Sequence, residues 1–189
     1  MPFSDLLFIL VWAAFYVYWL VSAWKTRSPI KRKQPRLTFL AYGFVWVIIW
    51  IILVTWFVPD LIDERIVPAG IGFTIAGLLI TIVGLAFAIW ARVHLGKNWS
   101  GMPVIRKEHS LTRTGPYRFV RHPIYSGLIL GLFGTAIGIG YVWIFCCVIL
   151  VFVLFVIKFR MEEQFLVDEF GEEYVRYKKE VKALIPYVI

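Results

Sequence analysis

Long apolar stretches alternate with short charged connections along this chain. Residues 3–24 contain a single charged side chain, that of Asp5, and residues 37–58 and 66–91 contain none. A helix needs about 20 apolar residues to cross the hydrocarbon core of a bilayer. The pattern therefore predicts three membrane-spanning helices over these ranges.

The fourth uncharged stretch, residues 123–157, is too long for one span. Its 35 residues would extend roughly 52 Å as a single helix, whereas the hydrocarbon core is about 30 Å thick. Gly138 and Gly140 lie near its middle and permit a tight reversal of the chain. We therefore predict a tight hairpin of two spans, residues 123–138 and 141–157, which brings the total to five transmembrane helices.

Composition supports this interpretation. Apolar residues make up 60% of the 189 residues and aromatic residues 18%, whereas soluble domains are about 45–50% apolar. A soluble core cannot bury this excess, so we predict an all-α integral membrane protein with a single membrane-embedded domain, residues 1–189. Cys146 and Cys147 are adjacent within an apolar run, and this spacing indicates neither an ordinary disulfide nor a metal site.

The placement of charge predicts how the chain is oriented. The net charge is +8, with basic residues concentrated in the connections 25–36 and 92–122 and acidic residues in the connection 59–65. Because positively charged loops face the cytoplasm, we expect the N-terminus outside and the C-terminus in the cytoplasm. The same rule accounts for the basic balance, so no nucleic-acid partner is expected.

Small residues form stripes on two of the predicted spans. Every seventh position of the third span is small: Gly70, Gly77, Gly84 and Ala91. One face of the fourth span carries four glycines: Gly127, Gly131, Gly134 and Gly138. Such stripes allow helix backbones to approach closely in lipid, so we interpret them as helix-packing surfaces.

Polar chemistry is concentrated in two predicted cytoplasmic segments, the first of which is 92–122. It holds all three histidines, His94, His109 and His122, and their spacing matches no zinc motif, so no metal is expected. His122 precedes Pro123, which suits the first turn of a helix. We therefore place His122 at the membrane surface, beside a helix end whose free N–H groups suit an anionic ligand group.

The second segment is the tail from residue 158. Its apolar positions recur at helical spacing: Phe159, Leu166, Phe170, Tyr174, Tyr177, Val181 and Leu184. This period predicts an amphipathic helical tail in the cytoplasm. We expect Gly171, a poor helix former, to bend it. Glu162 and Glu163 fall within about two turns of the end of the fifth span. Residue chemistry alone thus indicates an interfacial pocket of His, Tyr, Arg and Glu side chains and leaves its ligand open.

Two blocks of sequence resemble one known family. The first block is His109-Ser110-Leu111-Thr112, Gly115-Pro116-Tyr117 and Arg121-His122-Pro123-Ile124-Tyr125-Ser126-Gly127. The second block is Glu162-Glu163, Phe170-Gly171-Glu172-Glu173-Tyr174, Tyr177 and Leu184-Ile185-Pro186. Together they resemble the isoprenylcysteine carboxyl methyltransferases and their prokaryotic relatives, which favours a bacterial or archaeal cytoplasmic membrane over the endoplasmic reticulum.

The resemblance implies methyl transfer from S-adenosyl-L-methionine to a lipophilic acceptor from the bilayer, such as the carboxylate of an isoprenylated cysteine. It implies a cofactor pocket built from residues 92–125 and 158–189. The cofactor-binding residues carried over by position are His109, Ser110, Leu111, Thr112, Tyr117, His122, Pro123, Ile124, Tyr125 and Glu162. A basic residue that contacts substrate corresponds to Lys158 or Arg160, and Arg160 and Glu162 are the candidate catalytic residues.

Other functions stay open at this stage. The acceptor is either a carboxylate or another lipid group, such as a phospholipid amine. A membrane reductase of the sterol type, using NADPH, also fits a basic and aromatic cytoplasmic tail. A non-catalytic membrane protein would use the same residues only to secure the hairpin and the tail.

Overall fold

The computed structural model describes residues 3–25, 30–33, 64–96, 99, 104–106 and 111–188. Five α-helices are found in these ranges: α1 Phe3–Lys25, α2 Ile71–Leu95, α3 Pro123–Ile139, α4 Val142–Phe170 and α5 Glu172–Glu180. The fold is helical, as predicted, with one addition. Strands β1 Ile30–Lys33 and β2 Val104–Arg106 pair antiparallel and so join the two basic connections. The second predicted span, 37–58, lies outside the described residues.

Three helices, α1, α2 and α4, are long and apolar enough to cross a membrane, and α3 is a shorter apolar helix. With 60% apolar residues, the chain is an integral membrane protein. The predicted start of the third span at residue 66 is wrong, because α2 begins at Ile71. The backbone N–H groups of Ile66 and Val67 instead donate to the carbonyl oxygen of Gly140, at 2.9 and 3.2 Å, which holds this stretch outside the helix.

The predicted hairpin is confirmed, since α3 and α4 are joined through Gly140 and Tyr141. Gly140 adopts the left-handed conformation with φ 87° and closes α3 through a hydrogen bond from its N–H to the carbonyl of Ala136. A Cβ atom at this position would lie 2.6 Å from the carbonyl oxygen of Val67. Both the positive φ and the close approach therefore require glycine.

The glycine stripes pack α2 directly against α3, and this is the close helix approach that the small residues predicted. A Cβ atom on Gly84 would lie 2.5 Å from the backbone nitrogen of Gly131, and one on Gly77 would lie 2.5 Å from the carbonyl oxygen of Gly134. Thr81 lies between these two contacts, where its buried hydroxyl donates to the carbonyl oxygen of Gly131 at 3.1 Å. Backbone contact of this kind fixes α3 against α2 and thereby fixes the position of residues 121–125.

The tail differs from the prediction in one respect. Residues 158–170 do not form a separate segment but continue α4, which spans 29 residues or about 43 Å. No Gly or Pro interrupts these residues until Gly171, where φ is 55° and the helix ends. The bend predicted at Gly171 is confirmed. The charged end of α4 thus projects beyond its apolar part, and α5 folds back from it.

Candidate active site

The tail returns to the start of α3 and pairs with it through the backbone. The N–H of Arg121 donates to the carbonyl of Lys182 at 2.8 Å, and that of His122 donates to the carbonyl of Ala183 at 2.9 Å. The side chain of Leu184 is buried in a cluster with Phe159 of α4. The residues that the sequence placed in two separate blocks therefore meet at one end of the α3–α4 hairpin, as the predicted reversal requires.

Glu162 is the acidic group at the centre of this region. Both of its carboxylate oxygens lie 2.8 Å from the hydroxyl of Tyr125, which donates to them. The ammonium group of Lys158, one turn earlier on α4, lies 3.7 Å from the Oε1 atom of Glu162 and 5.0 Å from the centre of the Tyr125 ring. Glu162 and Lys158 are both partly buried, so an anionic and a cationic group lie side by side next to a phenol.

Aromatic rings stack around these charges. The His122 ring lies between Tyr125 and Phe159, with centroid distances of 5.6 and 5.1 Å. Phe155 stacks on Tyr125 in turn, with its ring centre 4.7 Å from that of Tyr125. Ring faces of this kind attract cations electrostatically, so the site combines a carboxylate with several aromatic surfaces.

A second carboxylate, Glu163, holds the elements of the site together. Its Oε1 atom lies 2.6 Å from the Nη2 atom of Arg121 and 3.2 Å from the Nε2 atom of His122, and its Oε2 atom lies 2.9 Å from the Nζ atom of Lys178. The side chain of Glu163 is 5% exposed. One buried anion therefore connects the start of α3, the end of α4 and α5, and fixes the edge of the His122 ring.

Tyr117 forms another wall of the site and lies within the short 3-10 helix Gly115–Arg118. It is buried, and its carbonyl oxygen accepts a hydrogen bond from the hydroxyl of Tyr177. Burial raises the pKa of the Tyr117 phenol, and the nearby Tyr177 and Glu162 raise this pKa further, while Arg92 lowers it. The phenol is consequently protonated at neutral pH and available as a hydrogen-bond donor.

Arg92 is a buried cation that sequence reasoning did not single out. Its guanidinium donates to the carbonyl oxygen of Ser22 at 3.1 Å and lies 3.8 Å from the centre of the Trp99 ring. It therefore ties the end of α1 to the end of α2, close enough to Tyr117 to affect its phenol. The available signal was a charge inside the last turn of an otherwise apolar helix, which is a functional indication in a membrane protein.

The remaining predicted site residues differ in their burial and position. Pro123 is buried at the first position of α3, and Ile124, Leu111 and Thr112 are half-buried. His109 and Ser110 lie outside the described residues. Arg160 is exposed and stands about 200° around the helix from Glu162, so the structure brings Lys158 rather than Arg160 to the carboxylate.

Comparisons with known proteins give the family. A sequence profile described as phospholipid methyltransferase matches residues 73–173, more than half of the chain. The protein-S-isoprenylcysteine O-methyltransferase of Saccharomyces cerevisiae is 35% identical over 122 residues, which are 61% of this chain and 49% of that protein. Methanethiol S-methyltransferase 1 of Bradyrhizobium diazoefficiens is 30% identical over 124 residues, which are 58% of this chain and 43% of that protein.

A solved structure agrees with the sequence comparisons. The eukaryotic intramembrane Ras methyltransferase, an isoprenylcysteine carboxyl methyltransferase, superimposes with a TM-score of 0.60 and 26% identity over 83% of this chain and 54% of the other. The chain thus spans about half the length of the relatives it matches, and the resemblance seen in its two sequence blocks is confirmed. Its helices, its site and the matched profile together show that this chain belongs to the phospholipid methyltransferase family.

Proposed function

We propose that this protein transfers a methyl group from S-adenosyl-L-methionine to a lipophilic acceptor in the bilayer, specifically to a carboxylate such as that of an isoprenylated cysteine. The observation that carries the proposal is the Tyr125–Glu162–Lys158 cluster, with hydrogen bonds of 2.8 Å and an ion pair of 3.7 Å. It lies where the apolar part of the hairpin gives way to its charged end. A water-soluble cofactor and a lipid acceptor can each reach such a boundary through its own phase.

The side chains of the site can be matched to the separate functional groups of S-adenosyl-L-methionine. Glu162 suits the cationic ammonium group or the ribose hydroxyls, since a carboxylate accepts hydrogen bonds from both. An open aromatic face near Glu162 would attract the cationic sulfonium by about 0.5–2 kcal/mol. The protonated phenol of Tyr117 can donate to a carboxylate. His109, Ser110, Leu111, Thr112, Pro123 and Ile124 stay candidate contacts by position.

The protein's own role in the reaction is to bind, orient and exclude water. When bound, the cofactor supplies an electrophilic methyl group. Because an acceptor carboxylate is already ionised at neutral pH, no side chain has to remove a proton from it. Orientation of the two reactants in a dry site then dominates the rate. Phe155 and Phe159 wall the cluster with apolar surface, and Leu184 covers Phe159.

Lys158 is the favoured contact for the acceptor. Its ammonium group lies beside Glu162 and over Tyr125, whereas Arg160 is exposed. A cation next to the reacting groups stabilises an anionic acceptor and repels a cationic one. A phospholipid amine is the second candidate, supported by the description of the matched family profile.

The proposed topology has five spans in one domain, residues 1–189, with the N-terminus outside and the site in the cytoplasm of a bacterial or archaeal cell. The basic connections 25–36 and 92–122 support it, and they are joined by the β1–β2 pair. The hairpin supports it as well, because two antiparallel helices return the tail to the side of residues 92–122.

Glu162→Gln is expected to weaken binding of S-adenosyl-L-methionine by about 10- to 100-fold, since a hydrogen bond to a charged group contributes about 1.5–3 kcal/mol. Isothermal calorimetry on protein in detergent micelles measures this change. Glu173→Gln is the matched control, because Glu173 is exposed on α5, and its affinity should equal that of the unchanged protein. Equal affinity in both variants would mean that Glu162 does not contact the cofactor. If the protein binds NADPH instead of S-adenosyl-L-methionine, it would be a reductase.

Lys158→Gln is expected to raise KM for a carboxylate acceptor about tenfold, the loss of one charge-assisted contact. The measurement is transfer of labelled methyl to N-acetyl-S-farnesylcysteine, with phosphatidylethanolamine as the competing amine acceptor. Arg160→Gln is the control, and its KM should not change. Loss of activity in Arg160→Gln alone would move the substrate contact to Arg160. Labelling of the amine lipid alone would favour the second candidate.

A further inference from the structure

The segment after residue 182 runs beside the start of α3 in the same direction. The bridge between Val120 and Lys182 is parallel, and the N–H of His122 donates to the carbonyl of Ala183 at 2.9 Å. One turn later the hydroxyl of Ser126 donates to the carbonyl of Leu184. Because α3 leads from Pro123 into the apolar region, the residues that follow Leu184 are carried towards the bilayer.

The residues that follow Leu184 expose apolar side chains. Ile185 is 47% exposed, Tyr187 95% and Val188 69%, and Phe119 on the neighbouring strand of chain is 48% exposed. Four exposed apolar side chains, two of them aromatic, therefore lie on the two segments that pair beside the start of α3. Aromatic residues at this depth lie among lipid headgroups, and clustered exposed apolar surface indicates an interaction site.

Two basic residues accompany this surface. Arg118 and Lys182 are exposed, and the guanidinium of Arg118 lies 5.3 Å from the centre of the Phe119 ring. Neither residues 118–126 nor residues 181–188 contain an Asp or Glu. Positive charge at a membrane boundary is complementary to anionic headgroups, whereas a second copy of the same patch would be repelled.

We propose that this surface is an interfacial anchor that binds anionic phospholipid in the leaflet from which α3 enters the membrane. The anchor consists of six residues: Arg118, Phe119, Lys182, Ile185, Tyr187 and Val188. The segment between Lys182 and Ile185 also reaches the candidate active site, because Ala183 and Leu184 pack on Phe159. Lipid bound to the anchor therefore holds the tail against α3 and α4.

A depth measurement in lipid nanodiscs tests the anchor without using cofactor or acceptor. Val188→Cys, in a chain with Cys146→Ala and Cys147→Ala, carries an environment-sensitive NBD label in discs that each hold one protein. We expect blue-shifted emission and quenching by shallow doxyl lipids in discs containing phosphatidylglycerol, with a smaller effect in pure phosphatidylcholine. High salt, which shortens the Debye length to about 3 Å at 1 M, should reduce the difference.

Arg118→Gln together with Lys182→Gln should abolish the difference between the two lipid compositions. Arg176→Gln together with Lys179→Gln is the charge-matched control, because both residues are exposed on α5 outside the anchor, and it should retain the difference. Emission typical of water, with equal iodide quenching in both lipids, would overturn the proposal. A shift that occurs only when two proteins share a disc would overturn it as well and would indicate self-association.

Discussion

Gly84→Ala is expected to destabilise the folded protein strongly, by about 3 kcal/mol or more, as over-packing at a rigid contact does. The added methyl group would lie 2.5 Å from the backbone nitrogen of Gly131 and 2.6 Å from the carbonyl oxygen of Gly127. Both neighbours are backbone atoms inside α3, so no side-chain rotation can relieve the overlap. The helices must separate, and the start of α3 must move with them. Thermal unfolding in detergent, followed by circular dichroism, measures the loss.

Gly72→Ala is the matched control on the same helix. A Cβ atom at Gly72 would meet nothing within 4 Å, and alanine is the better helix former by up to about 1 kcal/mol. This variant should unfold at the same temperature as the unchanged protein or slightly above it. An equal loss of stability in both variants would show that helix propensity, rather than the contact between α2 and α3, governs the effect.

Local pattern was sufficient to predict the helices and their glycine contacts. A helix and a lipid-facing surface depend on residues a few positions apart, so hydropathy located α1 and α2, and the length of residues 123–157 required a reversal near Gly140. The small residues predicted close helix packing in the same way, although they did not identify α2 and α3 as partners. The continuation of α4 past Lys158 was missed, because charged residues suggested the end of a span although nothing there stops a helix.

The roles of individual side chains in the site depended on contacts that sequence spacing does not reveal. Glu162 and Glu163 are adjacent and chemically identical, yet Glu162 faces Tyr125 while Glu163 is enclosed by cations from two other elements. Arg92 reaches Ser22 across 70 positions of sequence. Lys158 and Arg160 were equivalent by sequence, and only helix geometry turns one towards Glu162 and the other towards the exterior.

Glu163→Gln is expected to lower stability by about 3 kcal/mol, because removing one member of a buried charge cluster leaves the others uncompensated. Arg121 and Lys178 lie 2.6 and 2.9 Å from the Glu163 carboxylate. In the variant, these cations and His122 would share one neutral amide. We expect α5 and the 182–184 segment to detach first, since both are held to α3 near this carboxylate. Hydrogen exchange of residues 172–184, alongside thermal unfolding, measures this local loss.

The two adjacent glutamates thereby separate stability from ligand binding. Glu162→Gln should keep the stability of the protein and lose affinity for S-adenosyl-L-methionine, because Glu162 is proposed to contact the cofactor. Glu163→Gln should lose stability first, and its affinity should recover at low temperature as the tail docks again. Glu173→Gln, at an exposed position, should change neither property. Unchanged exchange in Glu163→Gln would mean that the cations around Glu163 are satisfied by water, and Glu163 would then not hold the tail in place.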